Sequence, residues 1–351
     1  MKEKLNSWQL GLTYAGCFLG AGYVSGQELW QFFGAFESWR LGLILALFLI
    51  FLFGCISLMT IFWSQKSQAA DIVVRKDRRI LKGTLNGTIA LFLYAVLIIM
   101  SAGVGAVAEQ LFGLSAKIFS TLACFGYALF SLGGVKSMVQ AFSAVVPVLT
   151  IMAAAVSLRI CLAEEISFNT AVLNGDNFGG WWSWAALVFV AHNLFGAVGI
   201  LTPVGVKLKD GKSIIKGVAL GVGILGMIAF LVLKAMHTLP ISAAKQLPML
   251  YLAAYCGDIV GLIYGLLLIL AMSTSALASL VALEEMVLEK KHFKRSILAL
   301  ILAFAGAIGA SGGFSNLISI IYPLCGYVGI VVLVGLTEHF IFLCRKRKST
   351  E

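Results

Sequence analysis

The sequence predicts an all-α integral membrane protein of about ten transmembrane helices, arranged as a five-plus-five inverted repeat. The composition, the length of the apolar runs and the placement of positive charge all support this class. Of the 351 residues, 60% are hydrophobic and 12% are charged, and the mean hydropathy is +0.98. A water-soluble chain of this length cannot cover so much apolar surface. The runs are continuous rather than alternating, which predicts helices instead of a β-barrel.

Runs of about 17–27 apolar residues are long enough to cross a bilayer as helices. The chain contains ten, at about 8–33, 40–63, 86–112, 117–133, 138–161, 182–206, 214–238, 252–283, 296–311 and 315–343. The fourth and ninth are short, so they need a tilted or protected position.

Most of the 26 lysines and arginines lie on one side of these spans, at the two termini and in the connections after the even-numbered spans. The positive-inside rule then places both termini in the cytoplasm, with the chain in a bacterial cytoplasmic membrane. The basic charge therefore sets the orientation, so we expect the lipid bilayer and a small molecule as partners and no nucleic acid. No sequence feature indicates an oligomeric state.

The ten spans divide into two similar halves within one domain, 1–351. Gly20-Ala21 matches Gly196-Ala197, and Met100-Ser101 matches Met272-Ser273, at closely similar offsets. These matches predict one repeat at about 8–161 and another at about 182–343. An odd number of spans in each half requires the second to be inverted. Evenly spaced helices are the alternative explanation.

Glycines interrupt the first span of each half. The first carries FLGAGYVSGQE at 18–28 and the sixth carries VAHNLFGAVG at 190–199. We predict that both helices are discontinuous, because glycine is a weak helix former and permits a turn. A break releases carbonyl groups, which suit a cation or an amine, and N–H groups, which suit a carboxylate. In the sixth span, close helix packing is the alternative role.

Two segments resemble a known fold. TYAGCFLGAGY at 13–23 is similar to the first helix of LeuT-fold transporters of the amino acid–polyamine–cation (APC) superfamily, and LAMSTSALASL at 270–280 is similar to their sodium-binding segment. With SGQE after the glycines and ten spans, the chain most resembles the YkvI-type bacterial membrane proteins. The metal-transporting branch carries Asp-Pro-Gly in its first span, which this chain lacks. The resemblance also implies that HTLPISAAKQLPM at 237–249 folds as a re-entrant lid.

The resemblance implies a sodium site where spans one and eight cross, and no other cofactor. Its ligands are two hydroxyl groups and three backbone carbonyls, from Thr274, Ser275, Gly16, Leu19 and Ala271. Alternatively, the hydroxyls only hydrogen-bond within the helix bundle. The implied substrate lies beside both breaks, and its contact residues are Gly20, Ala21, Gly22, Tyr23, His192, Asn193, Leu194 and Gly196.

Two glutamates are gate or coupling candidates. Glu28 follows Gly22 by six residues, or about 9 Å along a straight helix, which places it toward the outer vestibule. It is a proton-coupling group, a contact for a cationic substrate, or a hydrated gate residue. Glu109, near the end of span three, is expected at the membrane interface. His192 is a possible titrating group or a hydrogen-bonded core residue.

These observations predict a cation-coupled secondary transporter, with sodium favoured over protons, that moves an amino acid or related amine by alternating access. The alternative is a non-transporting receptor on the same fold, similar to the membrane subunits of spore germinant receptors. We do not expect an enzyme, because the sequence has no metal-ligand cluster, no nucleophile–base pair and no nucleotide-binding loop.

Overall fold

The computed structural model describes residues 5–64, 73, 79–132, 136–163, 178, 180–205, 208–288 and 294–348. Its helices are α1 (Ser7–Phe18), α2 (Ala21–Val24), α3 (Gln27–Leu29), α4 (Trp39–Ser64), α5 (Arg79–Phe112), α6 (Ala116–Ser131), α7 (Lys136–Ala163), α8 (Trp182–Gly205), α9 (Gly211–Thr238), α10 (Pro248–Cys256), α11 (Asp258–Leu288), α12 (Arg295–Ala310) and α13 (Phe314–Lys348). A π-helical turn (Trp30–Gly34) follows α3, and a 3₁₀ turn (Pro240–Ala244) precedes α10.

The all-α membrane class is confirmed. Among the described residues, five helices (α4, α5, α9, α11 and α13) are long and apolar enough to cross a bilayer, and shorter apolar helices accompany them. Each predicted span corresponds to a helix or to a group of consecutive helices. The main packing pairs are α5 with α11, α8 with α13, and α1 with α9. These pairs surround the segment between α1 and the π-helical turn, most of which is buried.

The predicted break in the first span is present. Helix α1 starts with a capping box in which the side chain of Asn6 accepts from the amide of Gln9 and that of Gln9 accepts from the amide of Asn6. It ends at Phe18, because the amide of Gly20 bonds the Phe18 carbonyl at 2.7 Å instead of continuing the helix. A second turn follows at Gly26, whose φ of +81° lies in the left-handed region. Side-chain-bearing residues rarely adopt this conformation.

The predicted break in the sixth span is wrong. Helix α8 runs without interruption from Trp182 to Gly205. Gly196 instead permits a close approach, since a Cβ there would lie 3.2 Å from Cζ of Phe92. The glycine therefore serves helix packing, which was the alternative role.

The predicted eighth span began too early, at about 252. Gly257, with a φ of +150°, separates α10 from α11, so residues up to Cys256 belong to a separate short helix. The segment from Pro240 to Cys256 folds as a 3₁₀ turn and α10, and we call it the α9–α11 connection. The chain does turn back between two long helices here, at the position expected for a lid.

An ion pair between a buried carboxylate and a partly exposed arginine joins three helix ends. Glu284 of α11 is fully buried, and its carboxylate accepts from Arg295 Nε at 2.8 Å and from Ser131 Oγ at 2.8 Å. Arg295 begins α12 and Ser131 ends α6. The pair therefore ties α6, α11 and α12 together.

Replacing Arg295 with alanine is expected to destabilise the protein by about 3 kcal/mol, because it leaves the buried Glu284 carboxylate without its counter-charge. The measurement is thermal or denaturant unfolding of the purified protein in detergent. Arg345→Ala, at an exposed arginine of α13, is the matched control and should change stability little. Equal unfolding midpoints for both variants would contradict a stabilising role for the ion pair.

Candidate functional site

Glu28 lies in the centre of the bundle. It is 4% exposed, and a Cβ added to Gly22 would stand 3.0 Å from its Oε2. The prediction that Glu28 lies in the outer vestibule is therefore wrong. That prediction assumed a straight helix after Gly22, whereas the left-handed turn at Gly26 brings the chain back toward the break.

Helix α8 supplies the polar neighbours of this carboxylate. Asn193 Nδ2 donates to Glu28 Oε1 at 2.8 Å and to the carbonyl of Phe189 at 3.1 Å. His192 Nε2 lies 3.8 Å from the same Glu28 oxygen, and His192 is 5% exposed. Within the part of the chain that the structure describes, His192 Nδ1 has no hydrogen-bond partner. The structure thus brings Glu28, predicted as a gate or coupling residue, together with two of the predicted substrate contacts, His192 and Asn193.

Tyr322 of α13 completes this cluster. Its ring stacks on His192, with centroids 4.1 Å apart. Its hydroxyl oxygen would lie 3.1 Å from a Cβ on Gly22. Tyr322 was not predicted from the sequence, although a hydrogen-bonding residue just before Pro323 in an apolar span was a usable signal. We call Gly22, Glu28, His192, Asn193 and Tyr322 the central cluster.

Glycines on α13 allow Tyr322 to reach the cluster. A Cβ on Gly326 would meet the side chain and backbone of Val188, and a Cβ on Gly329 would meet the carbonyl of Ala191. Helix α13 therefore packs directly on the backbone of α8, in the turn that precedes His192. This contact fixes how far the Tyr322 ring lies from the imidazole.

The remaining predicted substrate contacts occupy different environments. Tyr23 is buried, and its hydroxyl donates to the carbonyl of Leu225 at 2.8 Å, on α9. Ala21 and Leu194 are also buried. Gly20 is exposed, and a Cβ there would have nothing within 4 Å. Gly20 thus offers open space beside the break, whereas Tyr23 fastens the broken segment to α9.

The oxygen atoms of the implied sodium site lie on two elements. Thr274 Oγ1 and Ser275 Oγ both donate to the carbonyl of Ala271, at 2.9 and 3.0 Å, so three of the five oxygens are adjacent. The break leaves the carbonyls of Gly16 and Leu19 without the usual helical amides, because those amides bond Phe18 and Gly20 instead. Helix α2, just after the break, packs against α11. The donor set is neutral oxygen, which fits a hard monovalent cation.

Glu109 is exposed and takes part in the contacts of the α9–α11 connection. Its carboxylate accepts from Gln246 Nε2 at 3.3 Å, and Gln246 Oε1 accepts from the amide of Phe314 at 3.2 Å. Gln110 donates to the Leu247 carbonyl at 3.1 Å and accepts from its amide at 3.3 Å. The connection is thus held to α5 and α13.

The α9–α11 connection also bonds the broken segment. The amide of Met249 donates to the carbonyl of Ser25 at 3.0 Å. From α11, the hydroxyl of Tyr264 donates to the carbonyl of Val24 at 2.6 Å. Gln27 donates to Ser315 of α13 at 2.7 Å. Several elements therefore hold the irregular backbone in place, which satisfies carbonyls that a continuous helix would have paired.

The described residues contain no group of three or more His, Cys, Asp or Glu side chains able to hold a metal ion.

Comparison with known proteins gives two uncharacterised relatives and a shared fold. No family model matches the chain. It is 29% identical over 337 residues to the uncharacterized protein YyaD of Bacillus subtilis (strain 168), covering 94% of this chain and 96% of YyaD. It is 28% identical over 358 residues to the uncharacterized membrane protein YkvI of the same organism, covering 98% of this chain and 97% of YkvI.

Solved structures similar to this one include several transporters. An inward-facing conformation of Mhp1 gives a TM-score of 0.66 at 13% identity, covering 97% of this chain and 77% of Mhp1. A Na⁺-coupled sialic acid symporter gives 0.57 at 15% identity, covering 93% and 76%. A manganese transporter of Eremococcus coleocola gives 0.55 at 15% identity, covering 92% and 78%. At these identities the likeness shows the fold: the chain is a multi-pass membrane protein with the LeuT-type fold.

Proposed function

We propose that this protein is a cation-coupled secondary transporter of a small organic solute, an amino acid or related amine, that works by alternating access. The observation that carries the proposal is the break in the first span, with buried Glu28 returned beside Gly22. Irregular backbone and an ionisable group at membrane depth cost free energy, and in membrane proteins they mark substrate and ion pathways.

The fold shared with Mhp1 and the sialic acid symporter supports a transporter. The similarity to YkvI supports placing the chain in a YkvI-type branch of the APC superfamily. We further propose that the two halves are inverted repeats and that the chain lies in the bacterial cytoplasmic membrane with both termini inside. The helix lengths support the repeat: α6 and α12, which correspond to the fourth span of each half, both have 16 residues.

Exposure around the break supports access from the cytoplasm. Gly16 and Gly20, before and at the break, are exposed, whereas Phe32 and Phe33, beyond it, are buried. In the proposed orientation the exposed glycines face the cytoplasmic side. The α9–α11 connection, bonded to Ser25 through Met249, covers the outer side. These contacts support an inward-facing arrangement as part of the proposal.

Reconstitution tests the proposal against the receptor alternative. Purified protein in liposomes should accumulate a labelled solute when a sodium or proton gradient is imposed, and the accumulated solute should leave when an ionophore removes the gradient. Binding without gradient-driven accumulation would favour a receptor similar to the membrane subunits of spore germinant receptors. Protein-free liposomes are the control.

We propose sodium as the coupling ion, bound by the hydroxyls of Thr274 and Ser275 and the carbonyls of Gly16, Leu19 and Ala271. The adjacency of three of these oxygens supports the site. So does the loss of the usual helical amide partner at the carbonyls of Gly16 and Leu19. Protons carried by Glu28 are the alternative.

The double variant Thr274→Ala/Ser275→Ala is expected to weaken apparent sodium affinity at least about tenfold, because each hydroxyl lost removes an interaction with a charged group. The measurement is the sodium dependence of solute uptake or binding. Ser273→Ala is the matched control, since its hydroxyl pairs with Tyr127 at 3.0 Å. Unchanged sodium dependence in the double variant would show that the site is wrong.

A further inference from the structure

The Glu28 carboxylate has no fixed cationic partner. Within the described ranges, no Lys or Arg forms an ion pair with it, and the one basic group within 4 Å is His192. Oε1 accepts from Asn193, but no donor contacts Oε2 among the same residues. A carboxylate removed from water is costly unless a positive charge compensates it. The described residues therefore place no lysine or arginine charge next to Glu28. A bound ligand can supply the missing positive charge.

Oxygen atoms that can accept hydrogen bonds gather around Oε2. Glu28 Oε2 and the hydroxyl oxygen of Tyr322 lie 3.0 and 3.1 Å from the same point, the position of a Cβ on Gly22. Asn193 uses its Nδ2 to donate to Glu28, which leaves its amide oxygen as a further acceptor. An ammonium group has three donors and no acceptor, so it matches this set.

The same geometry disfavours a carboxylate on the solute. Among the described residues, no backbone carbonyl accepts from the amides of Ala21 and Gly22 at the start of α2, so these are the donors that a solute carboxylate would use. The Glu28 carboxylate already stands against Gly22. Two carboxylates a few ångströms apart at low dielectric repel strongly. A zwitterionic amino acid would bring a second negative charge to this position.

We propose that the central cluster selects amines that carry no carboxylate, with Glu28 binding the ammonium group. This inference rests on the proposed transport function and narrows its solute from amino acids or amines to cationic amines. Glu28 is then a specificity-determining residue. A proton on Glu28 is the competing source of positive charge, and it would leave a neutral site that tolerates zwitterions.

Matched pairs of ligands test this selection on the full-length protein in detergent. The pairs are tyramine with tyrosine, isoamylamine with leucine, and cadaverine with lysine, each differing by one carboxylate. At least one amine should raise the melting temperature with concentration, since a ligand that binds the folded state stabilises it. The amino acid of the same pair should bind at least about tenfold more weakly than that amine. Equal binding of the two members of every pair, or no binding by any amine, overturns the proposal.

Glu28→Gln keeps the acceptor for Asn193 and removes the charge. Its affinity for the amine should fall about ten- to a hundredfold, because a charge-assisted hydrogen bond is lost. Glu338→Gln, at an exposed glutamate of α13, is the matched control and should bind as the wild type does. Wild-type affinity in Glu28→Gln overturns the proposal. If that variant does not fold, the binding of the ligand pairs to the wild-type protein still tests the proposal.

Uptake measurements distinguish a failure of the proposed amine selection from a failure of the proposed transport function. Amine binding that is lost in Glu28→Gln, but without gradient-driven accumulation, supports the selection and rejects transport. Gradient-driven accumulation of an α-amino acid, in preference to its amine, supports transport and rejects the selection.

Discussion

Gly329→Ala is expected to destabilise the protein by a net of about 1–2 kcal/mol and to weaken solute binding. The new Cβ would overlap the carbonyl oxygen of Ala191 on α8. Backbone cannot yield as the end of a flexible side chain can, so α13 has to move away from α8. Overpacking costs of about 1–3 kcal/mol are typical, and the gain in helix propensity over glycine, about 1 kcal/mol, offsets part of them. The movement also separates Tyr322 from His192, whose rings now stack.

The measurements for this variant are the unfolding midpoint in detergent and the affinity for the amine identified in the ligand pairs. Gly223→Ala is the matched control, because a Cβ there would have nothing within 4 Å. It should be neutral or slightly stabilising. A Gly329→Ala protein as stable as the control would contradict the close contact between Gly329 of α13 and the Ala191 carbonyl of α8.

Gly26→Ala is expected to lower stability by about 1–2 kcal/mol and to abolish solute binding. The φ of +81° at Gly26 is unfavourable for a residue with a side chain. A Cβ would also lie 3.0 Å from Sδ of Met236 and 3.1 Å from Cγ of Met249, although methionine side chains can adapt. A relaxed turn would carry Glu28 away from Gly22, so binding should suffer more than stability.

Gly20→Ala is the comparison within the same segment. Its φ of −76° and ψ of 172° suit any residue, and a Cβ would meet open space. The folded state should therefore keep its unfolding midpoint. Equal loss of stability in both variants would contradict the assignment of the special backbone conformation to Gly26.

The sequence correctly predicted a break in the first span. It did not show which of the glycines adopts a backbone conformation that disfavours a side chain. Gly20 and Gly22 have ordinary φ values, and Gly26 alone of the three is left-handed. Spacing along the chain shows where a helix is weak. The direction in which the chain continues depends on tertiary contacts, such as the bond from Met249 to Ser25.

The same limit explains the two errors at the site. Glu28 was placed by counting along a straight helix, and the turn at Gly26 invalidates that count. The sixth span was expected to break because it contains Gly196 and Gly199, yet Gly196 packs against Phe92 inside a continuous helix. A glycine in a membrane span is compatible with both roles, and only the neighbouring helix decides between them.

Part of the cluster was predictable residue by residue and part was not. His192 and Asn193 were identified from their position before the glycines of the sixth span, and both contact Glu28. Tyr322 comes from the other end of the chain, and it reaches the cluster because Gly326 and Gly329 let α13 approach α8. Such contacts depend on helix packing angles that local sequence does not encode.

The most direct test of the central claim, that the solute binds at the break in the first span, is the position of a bound amine. A structure of the protein with 4-bromophenethylamine, located by the anomalous scattering of bromine, makes that measurement. We predict the ammonium group within hydrogen-bonding distance of the Glu28 carboxylate and beside Gly22. An amine bound only at the α9–α11 connection or on the lipid-facing surface, with the central cluster unchanged, would contradict the account.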